Sequence, residues 1–267
     1  MSKIFEALQK AEQGKNIVHA NEQSSVEEYL EIKTGFSDDL VTLKKPGSVA
    51  AEQFRFWRSR IIKPQNGNRP KTVLITSALQ GEGKTFAACN LAVTIAQGLD
   101  DHVLLVDADL RNPMVNQVFG LERSEKGLSN YLKNGGSLAQ MFSKTSIPKL
   151  TILTGGQETE NPAELLGSQR MRSFIEEVRD RYSDRLVIFD SAPVNLAPET
   201  IAISKEVDAI YLMLMRGETP RNAASSAIEH FNKDKLKGII FNKDHEVSRS
   251  KCYHYGYGYR AACRADA

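Results

Sequence analysis

The sequence predicts an α/β fold, doubly wound around a mostly parallel sheet, and three observations predict it. Apolar runs at 72–76, 103–107, 186–190, 209–215 and 238–241 are nearly continuous instead of alternating, the pattern of parallel strands covered on both faces. Helical stretches at about 84–97, 162–180 and 220–231 lie between the runs and supply the crossovers that parallel strands require. The first run leads directly into a glycine-rich loop that opens a helical pattern. Sheets of this kind bind ligands beyond the carboxyl ends of their strands.

Taken in order, residues 1–13 place Ile4, Phe5, Leu8 and Ala11 on one helical face. An isolated helix that short is marginal in water, so it is expected to dock, on its own domain or on a partner. Residues 14–45 are polar without a sustained period and read as a linker, and a second helical stretch covers 48–62 before Pro64. The expected organisation is therefore an N-terminal helix and linker over 1–45, a nucleotide-binding domain over 46–247, and a flexible tail over 248–267. A net charge of +2 gives no global field that would argue for nucleic acid or an anionic membrane. No apolar stretch approaches the ~20 residues of a membrane span, and the polar N-terminus is no secretion signal. Cys89, Cys252 and Cys263 show no paired or metal-type spacing and read as reduced thiols of a cytoplasmic protein.

The loop itself reads Thr76-Ser77-Ala78-Leu79-Gln80-Gly81-Glu82-Gly83-Lys84-Thr85. Before it, Thr72-Val73-Leu74-Ile75 is short and β-branched; after it, Ala87, Ala88, Leu91, Ala92 and Ile95 recur at helical spacing. That strand–loop–helix setting identifies a phosphate-binding loop of the P-loop NTPase kind. Glycines let backbone N–H groups curl around phosphate oxygens, and the helix N-terminus adds partial positive charge. Lys84 would reach the β- and γ-phosphates of a nucleoside triphosphate, with the Thr85 hydroxyl on Mg²⁺.

Two further runs end in carboxylates, Leu104-Leu105-Val106-Asp107-Ala108-Asp109-Leu110-Arg111 and Val187-Ile188-Phe189-Asp190-Ser191-Ala192-Pro193. Three aspartates thus leave strand ends on the side of the phosphate loop, where Mg²⁺ needs oxygen ligands. An Asp at a strand end also caps the following turn or helix, but three of them beside a phosphate loop point to metal and phosphoryl chemistry.

Together these segments resemble the Walker A, A′ and Walker B motifs of the bacterial tyrosine autokinases, deviant Walker ATPase-like P-loop proteins of capsule and exopolysaccharide assembly. Further similar stretches are Gly127-Leu128-Ser129-Asn130-Tyr131-Leu132, Asn161-Pro162-Ala163-Glu164-Leu165-Leu166 and Gly238-Ile239-Ile240-Phe241-Asn242, so the resemblance covers roughly 45–260. Gln80 stands where that family usually has proline, and Ala192-Pro193 where it has a proline pair; both are backbone-shaping positions. The resemblance implies ATP and Mg²⁺ as cofactors, with Gln80, Gly81, Glu82, Gly83, Lys84, Thr85, Phe86 and Arg111 around the nucleotide. Asn242 is similar to the adenine-contacting asparagine of related ATPases. The catalytic set it implies is Lys84, Asp107, Asp109 and Asp190, with Asp107 orienting and deprotonating an incoming phenol. The implied metal ligands are Thr85, Asp107 and Asp190.

Tyr253, Tyr255, Tyr257 and Tyr259 alternate with His254, Gly256 and Gly258, so four of eight tyrosines lie within seven residues. Alternation suits an edge strand, whereas the glycines and the terminal position favour a mobile tail. The resemblance makes these tyrosines phospho-acceptors in trans. Glu52, Arg55 and Arg58 share one helical face; i,i+3 pairs of this kind support a solvated helix. In the autokinases the same spacing joins subunits into a ring, and Phe54 and Trp57 would suit a partly buried contact there. The resemblance also implies a membrane polysaccharide co-polymerase as activator, a cognate tyrosine phosphatase, and recruitment to the inner face of the plasma membrane. The alternative is a partition- or septum-positioning ATPase switch, which carries a signature lysine early in its phosphate loop; residues 77–80 contain none. A nucleotide-binding scaffold with weak catalysis is a third possibility.

Overall fold

The computed structural model describes residues 35–243 apart from 66, 123 and 182–184. The N-terminal helix, Cys252, Cys263 and the tyrosine cluster expected from the sequence lie outside the described residues.

Among the described residues the chain runs α1 (Val41–Lys44), α2 (Val49–Ile62), β1 (Thr72–Ser77), α3 (Lys84–Ala96), β2 (His102–Asp107), α4 (Val115–Val118) and α5 (Leu128–Asn134). It continues through β3 (Phe142–Lys144), β4 (Leu150–Leu153), α6 (Pro162–Leu166), α7 (Gln169–Arg181), β5 (Arg185–Asp190), α8 (Pro198–Glu206), β6 (Ala209–Met215), α9 (Arg221–Glu229) and β7 (Leu236–Asn242). The strands form one sheet in the order β3-β4-β2-β5-β1-β6-β7. All neighbours pair in parallel except β3, which runs antiparallel to β4.

Both faces of the sheet are covered, which explains the continuous apolar runs. In β1, Leu74 joins one core with Leu104, Val106, Val187, Phe189 and α7 residues Phe174, Ile175 and Val178. Its neighbours Val73 and Ile75 join the opposite core with Val103, Leu105, Ile188 and the buried face of α3. Alternate side chains point to opposite faces, so a strand with helices on both sides must be apolar at every position.

The adjacent strands β1 and β5 lead in opposite directions: β1 continues through α3 toward β2, and β5 through α8 toward β6. Their loops diverge at the carboxyl edge and open the crevice in which such folds hold ligands.

Several expectations need correction. The helix expected over 162–180 is two helices, α6 and α7, because the Ser168 hydroxyl accepts from Met171 N at 3.2 Å and starts a new helix. The run at 238–241 is an edge strand instead of a doubly covered one; its burial alternates, leaving Ile239 39% and Phe241 60% exposed. Residues 36–45, assigned to the linker, are a strap on the domain, with Phe36, Leu40 and Thr42 buried. The strap is buckled to α3 by Asn90, whose Oδ1 accepts from Thr42 N and Oγ1, both at 3.0 Å. Asn90 Nδ2 in turn donates to Asp39 O at 2.7 Å and Phe86 O at 2.9 Å. The expected helix at 48–62 is α2, capped by Ser48, which accepts from Ala51 N at 3.2 Å. No helix among the described residues is long and apolar enough to cross a membrane.

Candidate active site

The shape of the phosphate loop follows from two glycines. Gly81 and Gly83 have φ of 84° and 90°, the left-handed region that favours glycine. Gly83 caps α3, so the first-turn N–H groups at Lys84 and Thr85 lack intrahelical acceptors and are available to an anion. Behind the loop, Asn242 Nδ2 donates to Glu82 O at 3.0 Å. The Glu82 carboxylate is turned inward, with Oε2 accepting from Leu79 N at 2.8 Å and Oε1 from the Thr219 hydroxyl. Glu82 and Asn242 therefore brace the loop from the rear.

A cavity of about 420 Å³ opens in front of it. Gln80, Gly81, Gly83, Lys84, Thr85 and Phe86 form one wall, and Asp109, Arg111 and Asn112, on the loop after β2, form another. Ala192, Pro193, Leu196 and Ala197, after β5, close the third side, and the strap contributes Asp39. The two loops are tied at their base, where Ala108 N donates to Asp190 O at 2.7 Å.

The three aspartates have different surroundings. Asp109 lines the cavity, and its Oδ2 lies 2.7 Å from Lys84 Nζ. Its Oδ1 accepts from Asn112 N at 3.1 Å. Asp107 is fully buried, with Oδ1 accepting from Asp109 N at 3.3 Å and Oδ2 from Val115 N at 3.0 Å. It sits behind the cavity wall, so Asp109 is the carboxylate that the structure presents to the cavity. Asp190 is 1% exposed, and neither of its carboxylate oxygens has a hydrogen-bond partner.

Burial sets the protonation of this cluster. It raises the Asp190 carboxyl to about 6, against the pull of Lys84 and the Thr85 hydroxyl. Asp107 is held well above the ordinary carboxylate range by burial, with Asp190 adding to it. For Lys84, burial acts to lower the pKa, but the attraction of Asp190, Asp109 and Asp107 outweighs it and the net shift is upward. Lys84 thus stays a cation in a pocket of carboxylates.

The residues present fit a magnesium ion. Asp190 offers two buried oxygens that make no hydrogen bond of good geometry, although the Thr85 hydroxyl and Lys84 lie near enough to favour its ionised form. A cation or ordered water would complete it. Thr85 brings its hydroxyl to the same cavity. Among the described residues no group of three His, Cys, Asp or Glu side chains forms a self-sufficient metal cage. Mg²⁺ takes one or two carboxylates and keeps waters and substrate phosphates for the rest, and Asp190 with Thr85 is a donor set of that size.

Arg111, half exposed at the cavity, is held by buried Glu199, with Nε–Oε1 at 2.5 Å and Nη2–Oε2 at 3.3 Å. Sequence reasoning missed Glu199, although Pro198 and an acidic first turn are a helix-start signature that marks α8. It also missed Asp39 and Asn90, for which no local signal exists.

On α2, Glu52 and Arg55 pair within the chain, and Arg55 also donates to Pro46 O. Arg58 packs beside Gly98, where an added Cβ would lie 2.3 Å from its Nη2. Phe54 and Trp57, expected at a subunit contact, instead face inward: Phe54 meets Phe86 at 5.8 Å and Trp57 meets Tyr211 at 5.2 Å between ring centroids. The exposed aromatic of this helix is Phe56, 55% exposed beneath the Arg60 guanidinium.

The family of CobQ/CobB/MinD/ParA nucleotide binding domains matches residues 73–251. Tyrosine-protein kinase YwqD of Bacillus subtilis is 35% identical over 82% of this chain and 91% of its own length. The kinase domain of Escherichia coli tyrosine kinase ETK superposes with a TM-score of 0.70 at 29% identity, covering 82% of this chain and 84% of that one. The septum site-determining protein MinD of Pyrococcus horikoshii, at 20% identity and a TM-score of 0.52 over 64% of this chain and 68% of its own, shares the fold.

Proposed function

Because the chain belongs to the CobQ/CobB/MinD/ParA nucleotide-binding family, and within it to the bacterial tyrosine kinases, we propose that it is an ATP- and Mg²⁺-dependent protein-tyrosine kinase. In this proposal the acceptors are its own C-terminal tyrosines, and the process served is capsule or exopolysaccharide polymerisation and export. The observation that carries it is the Lys84–Asp109 pair inside a cavity walled by the phosphate loop and two aspartate-bearing strand ends. The septum-positioning alternative has only fold-level support, since its structural relative is 20% identical.

The phosphate loop, Gln80 to Thr85, would hold the β- and γ-phosphates on its N–H groups. Thr85 and Asp190 would hold Mg²⁺, with Asp107, expected as a third ligand, kept behind the wall by its bonds to Asp109 N and Val115 N. The ion when bound would neutralise phosphate charge in the transition state. Lys84 would leave Asp109 for the phosphate oxygens, freeing the Asp109 carboxylate on the cavity wall. An unperturbed phenol, with a pKa near ~10, is only about one part in a thousand ionised at neutral pH. We therefore give Asp109, rather than Asp107, the task of accepting the phenol proton. As the phenol oxygen bonds to the γ-phosphorus, the bond to the β,γ-bridging oxygen breaks and ADP departs.

Tyr253, Tyr255, Tyr257 and Tyr259 are the proposed acceptors, delivered from a neighbouring copy in a ring joined through Glu52, Arg55 and Arg58. Formation of that contact would require Arg55 to exchange its own Glu52 for a neighbour's. Four phosphates would add roughly −6 to −8 charges to one tail, which would repel the aspartate-lined site and open the ring. A membrane co-polymerase as activator and a tyrosine phosphatase complete the proposed partners.

Incubation of the full chain with labelled ATP, Mg²⁺ and a membrane activator, followed by phosphotyrosine detection, tests the activity. Label should appear on tyrosine and disappear when the four tail tyrosines become Phe. ATP hydrolysis without any phosphotyrosine would overturn the proposal in favour of the switch. Size-exclusion of Lys84→Met against ATP-treated wild type tests the ring, which should survive only in the variant.

A further inference from the structure

We propose that Glu199 is a positioning residue for the phosphoryl end of the nucleotide, acting through Arg111. The inference rests on the nucleotide-binding reading above but assigns a residue which that reading does not use. Glu199 lies in the first turn of α8 and is 2% exposed, while Arg111 is half exposed and lines the cavity. They are separated by 88 positions and meet only because the loops after β2 and β5 face each other.

The geometry has a specific consequence. Glu199 occupies Nε and Nη2 of Arg111. Nη1 has no hydrogen-bond partner among the described residues. A guanidinium held along one edge keeps its plane fixed and presents its remaining N–H groups in one direction, which a lysine cannot do. A buried carboxylate is costly unless paired, so Glu199 is a strong anchor and Arg111 its only ion-pair partner among the described residues. Arg111 also shares its loop with Asp109, whose Oδ1 accepts from Asn112 N at 3.1 Å. The clasp therefore fixes the wall that faces Lys84. A charge fixed on that wall, opposite the helix N-terminus, is placed to recognise the terminal phosphoryl group of a triphosphate; a diphosphate lacks that group.

The test is equilibrium binding to the full chain, by calorimetry, of a non-hydrolysable ATP analogue and of ADP, each with Mg²⁺. Glu199→Gln keeps the shape and loses the charge; Glu199→Asp keeps the charge and shortens the reach. The expected result is that Glu199→Gln and Arg111→Lys each weaken the ATP analogue about 10-fold or more, with ADP changed less than about 2-fold. Glu199→Asp should recover part of the loss. In an Arg111→Ala background, Glu199→Gln should have no further effect on the ATP-to-ADP ratio, because its action runs through Arg111. Equal losses for both nucleotides, or an undiminished ratio in the folded variants, would overturn the inference. If the wild type binds ATP but never forms phosphotyrosine, the kinase proposal fails, and the ATP-to-ADP ratio still decides the role of Glu199.

Discussion

The Lys84 ammonium lies 2.7 Å from Asp109 Oδ2, so the cation expected to grip phosphate is held by a carboxylate of the same cavity. In the proposed reaction Lys84 would exchange that partner for phosphate and leave Asp109 as an available base. Asp109→Asn should therefore tighten ADP binding by about 3- to 10-fold, since a charge-assisted bond no longer competes. It should also lower tyrosine phosphorylation by about 100-fold or more, within the range of a lost general base. Calorimetry and initial-rate phosphorylation read the two effects separately.

Gly83 and Gly81 share the left-handed conformation but not their surroundings. A Cβ on Gly83 would lie 2.1 Å from Asn242 Nδ2, whereas one on Gly81 meets nothing within 4 Å. Gly81→Ala should cost about 1 kcal/mol of backbone strain. Gly83→Ala should cost about 2–4 kcal/mol, because it also displaces Asn242 from Glu82. Urea unfolding of the two variants checks the difference.

Asp190 gives the apo protein a pH dependence of definite sign. Its carboxyl titrates at about 6 when folded, against an ordinary value of 3.8, so between these values the folded chain holds the additional proton. Stability should fall as pH rises from about 4 to about 6, by of order 2–3 kcal/mol for the Asp190 contribution. The upward shift of Asp107 acts in the same direction. Urea midpoints at pH 5 and pH 7.5 should differ in the wild type, and the difference should narrow in Asp190→Asn, with the remainder owed to Asp107. Magnesium requires the ionised carboxylate, so Mg²⁺-dependent nucleotide binding should strengthen over the same interval.

Asn90 has every amide hydrogen bond satisfied within the fold. Asn90→Leu should cost about 2–4 kcal/mol, since Thr42 N and the Asp39 carbonyl lose a buried partner. Hydrogen exchange at the Thr42 amide should accelerate more than exchange in β1 or β5, because the strap would detach before the sheet opens.

The central strands were legible because each is buried on both faces, so continuous apolar runs leave little other choice. The two short strands β3 and β4 were not: three and four residues at the sheet margin carry no period to detect. The inward aim of Trp57 toward Tyr211 was equally hidden, since helical spacing defines a face without saying what the face meets. At the site, the phosphate loop and the three strand-end aspartates could all be picked out by position. Their division of labour could not, because Asp107 and Asp109 are separated by one residue and differ only in what surrounds them.

The sequence by itself determined the chemistry available here: a strand, a glycine-bent loop and a helix N-terminus are contiguous, and their capacity to hold phosphate is local. Tertiary structure alone decided which carboxylate meets Lys84, which is walled in, and that Glu199 reaches back to Arg111. Those outcomes depend on desolvation and on distances between segments far apart in the chain, and neither quantity exists until the sheet has closed around them.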